Sequence, residues 1–303
     1  MKVHHLWLVV VAVHCLTPLL IANSPPHDVT TTQFWQKHFQ NKNTLNYPVV
    51  FVHGINARLS DWEKTASLLS NDNYCTVTYH KKDTIKINKR GNTHCTIWNI
   101  CYYEPNLVKE MLIGDLKRYS LRLDAIIALI KQESQQNKVI IIAHSMGGLV
   151  ARSYMSHTKA SWNSVYKILT VGTPHEGVPI APPIINHLRD LHPKSIFIKN
   201  LNNHWQAPLN KGYKQWGVIG AVNIKKTSST ASIKASSTDS GGPGYIPISS
   251  SIPFGEWQAA IKQPNIPSLN TPHFGYRLFT NAKHDDLLFH EAVLKAIIWA
   301  TTN

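Results

Sequence analysis

A short apolar run that ends at a serine between small residues constrains the fold of this chain most. Residues 139–143 are apolar and mostly β-branched, which is typical of a strand buried on both faces of a parallel sheet. From Leu149 onward, apolar and small residues recur at helical spacing. Ser145 therefore lies on a sharp turn from a strand to a helix.

The residues beside Ser145 suit a strained turn. Ala143, Gly147 and Gly148 are small, so the helix can pack closely on the strand. The stretch differs from the G-x-S-x-G nucleophile elbow only at its first position, where alanine is still small. We interpret it as a nucleophile elbow. The alternative is a chance strand-to-helix turn with a capping serine.

Strand and helix signals alternate along most of the chain. This alternation predicts an α/β fold with a mainly parallel sheet flanked by helices, in a single domain over residues 25–303. Residues 81–105 are polar and irregular, and we expect them to form an excursion outside the sheet. Residues 178–212, rich in Pro, Ile, Leu and His, form a candidate lid insertion.

The N-terminus resembles an export signal. Residues 1–24 contain one positive charge at Lys2, an apolar stretch from Leu6 to Ala22 and then small residues. A cleaved secretory signal peptide is favoured over a membrane anchor because polar residues and a proline interrupt the stretch. We therefore expect a secreted or periplasmic protein.

Three cysteines remain after the expected cleavage. Cys95 and Cys101 are the favoured disulfide pair because they are close in sequence, with Cys75 free or paired with one of them. No C-x-x-C spacing or nearby pair of histidines accompanies them, so a zinc site is not expected.

The formal net charge of +14 raises the question of a nucleic-acid partner. Lysines and arginines are scattered and are not interleaved with aromatic residues as in a recognisable RNA or DNA module, so no nucleic-acid partner is expected. A basic surface would either contact anionic lipid head groups or serve solubility alone.

A serine nucleophile needs a carboxylate and a histidine that follow it in that chain order. Asp239 is the predicted acid because it lies on a loop after a late strand signal, residues 213–222. Glu256 and Asp190 are the alternatives. His284 is the predicted base because it closes the last strand signal, at the carboxyl edge of the sheet.

The same chemistry needs two backbone N–H groups for the oxyanion. Met146 follows the nucleophile and supplies the first. Ile55 supplies the second, because Gly54 lets the chain turn tightly after the first strand signal. Acyl transfer of this kind requires no cofactor and no metal.

Five stretches then occur in order: FVHGINA, AHSMGGLVAR, VGTPHEGVP, an aspartate followed by YIPISSS, and HDDLLFHEAVLKAI. Together they resemble the motifs of the α/β-hydrolase superfamily, specifically its lipase and GPI-inositol-deacylase-like group, from about Tyr47 to the C-terminus. The resemblance implies an α/β-hydrolase fold with Ser145, Asp239 and His284 as the triad, and Ile55 and Met146 as oxyanion donors. The acid-bearing loop is longer than the usual Asp-Gly-Val-Val-Pro form.

The expected activity is that of a secreted serine ester hydrolase, a carboxylesterase or triacylglycerol-lipase-like enzyme. It would cleave carboxylic esters, especially lipid esters, through an acyl-enzyme on Ser145. Thioesters, amides and lipid-linked glycans are alternative substrates. A catalytically silent hydrolase fold that binds a partner is the alternative from a different class.

Overall fold

The computed structural model describes residues 33, 47–80, 84–90, 94–179, 186–222 and 246–302. The predicted signal peptide and Asp239 lie outside these residues. Nine strands of the described part form one sheet in the order β3-β2-β4-β1-β5-β6-β7-β9-β8. The strands are β1 Val49–Val52, β2 Cys75–Tyr79, β3 Ile85–Lys89, β4 Ile97–Cys101, β5 Val139–His144, β6 Val165–Val171, β7 Trp216–Val222, β8 Ser268–Leu269 and β9 Tyr276–Asn281.

Helices cover both faces of this sheet. They are α1 Leu59–Ser70, α2 Leu107–Ile113, α3 Leu116–Ser134, α4 Met146–Met155, α5 Lys159–Asn163, α6 Asn186–Leu191, α7 Ile196–Asn210, α8 Ile248–Ser251, α9 Trp257–Ala260 and α10 Glu291–Thr301, with a 3₁₀ turn at Asp285–Phe289. No helix in the described residues combines the length and apolar character needed to cross a bilayer.

The seven inner strands are parallel, and only the edge strands β3 and β8 pair antiparallel. Alternate residues of β1 point to opposite layers: Val50 and Val52 join the core beside α3 and α4, and Val49 and Phe51 join the core beside α1 and α10. β1, β4 and β5 are buried along their whole length because both faces are covered. The predicted α/β fold with a mainly parallel sheet is confirmed.

The expected excursion at residues 81–105 is wrong, because this segment contributes β3 and β4. β4 runs parallel between β1 and β2 and is fully buried. The polar Asn99 at its centre interrupts the apolar pattern by which a buried strand is recognised. In the structure the Asn99 amide donates to the Leu59 carbonyl at 2.7 Å. A polar residue can occupy a central strand when such a hydrogen bond compensates for its burial.

The favoured Cys95–Cys101 disulfide is also wrong. The structure pairs Cys75 with Cys95, with a Cα–Cα distance of 5.7 Å, and leaves Cys101 free and buried. Parallel pairing puts Cys75, at the start of β2, opposite Trp98 near the start of β4. Cys101 ends β4, and the strand rise of about 3.3 Å per residue puts it about 13 Å from Ile97 at the other end of the strand, which Cys95 precedes. The alternative pairing of Cys75 is the observed one.

The candidate lid at residues 178–212 contains α6 and α7. α7 buries four apolar side chains against the core of the domain: Ile198, Leu201, Trp205 and Leu209. α6 also buries Leu191 in the same core. A lid in this part of the chain stays a prediction.

Candidate active site

Ser145 connects β5 to α4 in a backbone conformation that serine rarely adopts, with φ 53° and ψ −130°. Its N–H donates to the carbonyl of Val171 on the neighbouring strand β6 at 2.8 Å. α4 then passes so near to β1 that a Cβ on Gly147 would lie 2.2 Å from the carbonyl oxygen of His53. The glycine of the elbow motif is therefore required by the close approach of two backbone segments.

The loop after β1 passes directly beside the serine. A Cβ on Gly54 would lie 2.9 Å from the Cβ of Ser145, so Ile55 follows at the position adjoining the elbow. Met146 opens α4, where the N–H groups of the first turn have no partner within the helix. Both predicted oxyanion donors thus flank Ser145, and their role stays a prediction.

Two tyrosines at the end of β4 hold this loop. The Tyr102 hydroxyl donates to the His53 carbonyl at 3.0 Å, and the Tyr103 hydroxyl lies 3.4 Å from the Gly54 carbonyl that accepts its hydrogen bond. The His53 ring stacks on Tyr102 with centroids 4.1 Å apart. Burial lowers the pKa of His53 to about 4, so its ring is neutral. Sequence reasoning missed both tyrosines because it missed β4, and no other signal marks them.

His284 follows β9 and lies at the same edge of the sheet as Ser145. Its carbonyl accepts a hydrogen bond from Nε2 of His144, the residue before the nucleophile, at 3.2 Å, and the two rings are 4.5 Å apart. A Cβ on Gly172, one residue after the Val171 that receives the Ser145 N–H, would lie 2.9 Å from Nδ1 of His284. No hydrogen bond joins the Ser145 hydroxyl to His284 among the described residues.

Burial sets the protonation of both histidines. It lowers the pKa of His284 below its usual value, and the neighbouring Asp285 carboxylate opposes this by raising it. Burial lowers the pKa of His144 further, and His284 adds to the effect. Both rings are therefore neutral near pH 7, which is the form that a general base requires.

Asp239 lies outside the described residues, in the segment 223–245 that connects β7 to α8. The ends of this segment are informative, because Val222 at the end of β7 pairs with Asn281 at the end of β9. The segment therefore leaves the sheet at the edge where His284 lies.

The two alternative acids form hydrogen bonds with other groups. Glu256 accepts hydrogen bonds from the Nδ1 of His273 at 2.9 Å and from the Nη1 of Arg277 at 2.7 Å, beside the start of β9 and away from His284. Asp190 accepts from the backbone N–H of Leu116, at the start of α3, at 3.2 Å. These contacts give both carboxylates structural roles, and the assignment of Asp239 as the acid stays a prediction.

The described residues contain one group that could hold a metal ion: His144, His284 and Asp285, with donor atoms within 4.8 Å of one another. This group shares its second histidine with the predicted triad. The acyl transfer expected from the sequence requires no ion there.

Seven parallel strands with a serine elbow in the middle, and a histidine after the last of them, define an α/β hydrolase by fold. A narrower assignment follows from comparison with protein families. The family described as the PGAP1-like alpha/beta domain matches residues 43–242, and the chain belongs to it. The resemblance drawn from the five motifs is thereby confirmed.

Individual related proteins match this chain over shorter stretches of sequence. The chain is similar to the GPI inositol-deacylase of Aspergillus terreus, with 30% identity over 118 residues, which is 39% of this chain and 9% of the relative. It is 38% identical over 68 residues to the GPI inositol-deacylase of Coccidioides immitis, or 22% of this chain and 5% of that protein. The matches thus span less than a tenth of these curated relatives.

Among solved structures, the product of the lin2722 gene of Listeria innocua resembles this chain with a TM-score of 0.53 and 12% identity, covering 84% of this chain and 92% of the other. This likeness concerns the fold alone.

Proposed function

We propose that this chain is a serine ester hydrolase that cleaves carboxylic esters of lipids through an acyl-enzyme on Ser145. The observation that carries the proposal is the positive φ of Ser145 at the carboxyl edge of the sheet, beside Gly54, with the His284 ring 4.5 Å from that of His144, the residue before the serine. A strained nucleophile between an oxyanion loop and a neutral imidazole is an arrangement suited to acyl transfer.

In the proposed reaction, His284 takes the proton of the Ser145 hydroxyl as its oxygen attacks the ester carbonyl. The carbonyl oxygen becomes an oxyanion that receives hydrogen bonds from the N–H groups of Ile55 and Met146, each worth about 3 kcal/mol. His284 then protonates the leaving alcohol, and water releases the acid by the reverse steps. Asp239 orients the imidazole and stabilises its cationic form.

A lipid substrate is favoured by family membership, because the curated relatives are named GPI inositol-deacylases. A second candidate substrate is accordingly an acyl ester on the inositol of a glycolipid. Thioesters and amides could use the same residues and are outcomes of the substrate test.

Export is part of the proposal. Disulfides form and persist in oxidising compartments, and the Cys75–Cys95 disulfide between the β2 and β4 segments fits that setting. Expression of the full chain followed by N-terminal analysis of the secreted product should locate cleavage near residues 22–24. A product that keeps residues 1–24 would contradict the signal peptide.

The decisive experiment combines a fluorophosphonate probe with intact mass analysis and hydrolysis of nitrophenyl esters of increasing acyl length. We expect one adduct on Ser145, and neither adduct nor turnover in Ser145→Ala. Asp239→Asn should reduce turnover sharply, while Asp190→Asn serves as a matched acid control that retains it. Full activity in a folded Ser145→Ala variant would refute the proposal. A wild-type chain that reacts with neither reagent would favour the silent hydrolase fold.

A further inference from the structure

The helices beside the active-site edge present aliphatic and cationic side chains together. We propose that this surface docks the protein onto an anionic lipid bilayer. The inference adds a binding surface to the proposed function and does not depend on catalysis, so the two can fail separately.

Large apolar side chains are exposed at six described positions, and four of them lie on three neighbouring helices of this surface. Leu112 and Ile113 end α2 with 67% and 39% of their area exposed, Leu121 lies in the second turn of α3 at 53%, and Ile196 opens α7 at 77%. The remaining two lie at the opposite edge of the sheet, Ile266 just before the edge strand β8 and Leu269 within it.

Asp190 brings the ends of these helices together. Its carboxylate accepts a hydrogen bond from the N–H of Leu116 at the start of α3. Its backbone carbonyl accepts one from the hydroxyl of Ser195, just before α7, at 2.7 Å. Ile113 and Ile196 are therefore only a few residues from one shared contact. We call the four apolar residues and the five cations below the docking face.

Five cations project from α3, α6, α7 and the turn before α7, and none lies within ion-pair distance of a carboxylate in the part of the chain that the structure describes. They are the exposed Lys117, Arg118, Arg189, Lys194 and Lys199.

The acids near these cations form hydrogen bonds or ion pairs with other groups. Asp115 caps α3 by accepting the N–H of Arg118 at 2.7 Å, and Glu110 is buried in an ion pair with Arg122. Asp190 caps α3 at Leu116, as described above. Asp115, Asp124 and Asp190 keep their charge, so the docking face carries five cations against three nearby anions and is still positive around its aliphatic side chains.

This combination fits an anionic bilayer. Aliphatic side chains insert at the boundary between head groups and acyl chains, and each nearby lysine or arginine strengthens attachment to anionic lipid about fivefold. The face also has the right position, because α2 follows the carboxyl end of β4 and α6 follows the loop after β6, at the edge where Ser145 lies. Docking would bring the elbow toward the lipid surface.

The test is co-sedimentation of the full-length Ser145→Ala chain with vesicles of phosphatidylcholine alone or mixed with phosphatidylglycerol. The double variant Lys194→Glu/Lys199→Glu should weaken binding to the anionic vesicles at least about tenfold. Leu112→Ser/Ile196→Ser should weaken it as well. Matched controls are Lys86→Glu/Lys262→Glu and Ile266→Ser/Leu269→Ser, which alter exposed residues of the same types elsewhere.

Residues 1–24 are present in every variant, so a difference between variants comes from the altered surface. Equal binding by the docking-face variants and the controls would overturn the inference, as would failure of the parent chain to prefer anionic vesicles. Thermal unfolding of each variant verifies that it is folded. In chains that keep Ser145, the docking-face variants should hydrolyse a soluble short-chain ester at the parental rate. Vesicle binding without any ester hydrolysis would reject the proposed function and leave the docking surface standing.

Discussion

The backbone of Ser145 predicts a trade-off between stability and activity. A non-glycine residue held at φ 53° and ψ −130° costs about 1–3 kcal/mol. Ser145→Gly removes that strain and so raises the free energy of unfolding. The greater freedom of glycine in the unfolded chain lowers it again by about 0.5–1 kcal/mol. Ser145→Ala keeps a Cβ and therefore keeps the strain. The glycine variant should exceed the alanine variant in free energy of unfolding by about 0.5–2 kcal/mol, and neither should be active.

Thermal and urea unfolding of the two variants measure this difference. For a domain of this size, 1 kcal/mol corresponds to a shift in melting temperature of about 2–4 °C. Ser156, which follows α4 with an ordinary φ of −83°, provides the matched control. There the order should reverse, with Ser156→Gly less stable than Ser156→Ala. If glycine were also the less stable residue at position 145, the elbow would store no strain and the reasoning would be refuted.

Three further outcomes are expected. The acid limb of the profile of kcat/KM against pH should have its midpoint below about 6.5, because burial lowers the pKa of His284. Asp285→Asn should move that midpoint still lower, and an upward shift would contradict the assignment of the base. Tyr103→Phe should reduce kcat several-fold at unchanged KM on a soluble ester, by freeing the loop after β1, and a change in KM alone would argue against this positioning role. Glu256→Gln should destabilise the fold by about 3–5 kcal/mol, since it leaves Arg277 buried without its charge partner, yet the folded fraction should keep its kcat.

The sequence predicts the centre of the fold better than its β3–β2–β4 side. β5 is an unbroken apolar run, so its pattern alone identifies a buried parallel strand and places the elbow at its end. β4 has the same burial, but its pattern is interrupted by Asn99, and the partner of that amide lies 40 residues earlier in the chain. The true disulfide was ambiguous for the same reason, since it depends on the pairing of β2 with β4. Long-range pairing is the information that a local pattern does not contain.

In the candidate site, too, some residues can be predicted from the sequence and others cannot. Residues expected to take part in the chemistry follow a fixed chain order, so Ser145 and His284 can be chosen from the sequence. The side chains that hold them have no such order. Tyr102 and Tyr103 support the loop after β1 from just beyond β4, the strand that the sequence pattern did not reveal. His144 contacts the carbonyl of His284 from the position before the serine, and no pattern in the sequence marks that contact.

The burial of Arg152 bears on the candidate lid. Helical spacing suggests a solvent-facing position, but the residue is fully buried between the rings of Trp205 and Trp216, 4.8 and 4.7 Å from their centroids. Burial lowers its pKa to about 9, so it is still a cation near neutral pH, and it donates to Nδ1 of His175 at 3.1 Å. Because Trp205 belongs to α7, moving that helix would uncover a buried charge and break this stacking. We therefore expect α7 to stay fixed on the domain, so that the moving part of any lid would not include this helix.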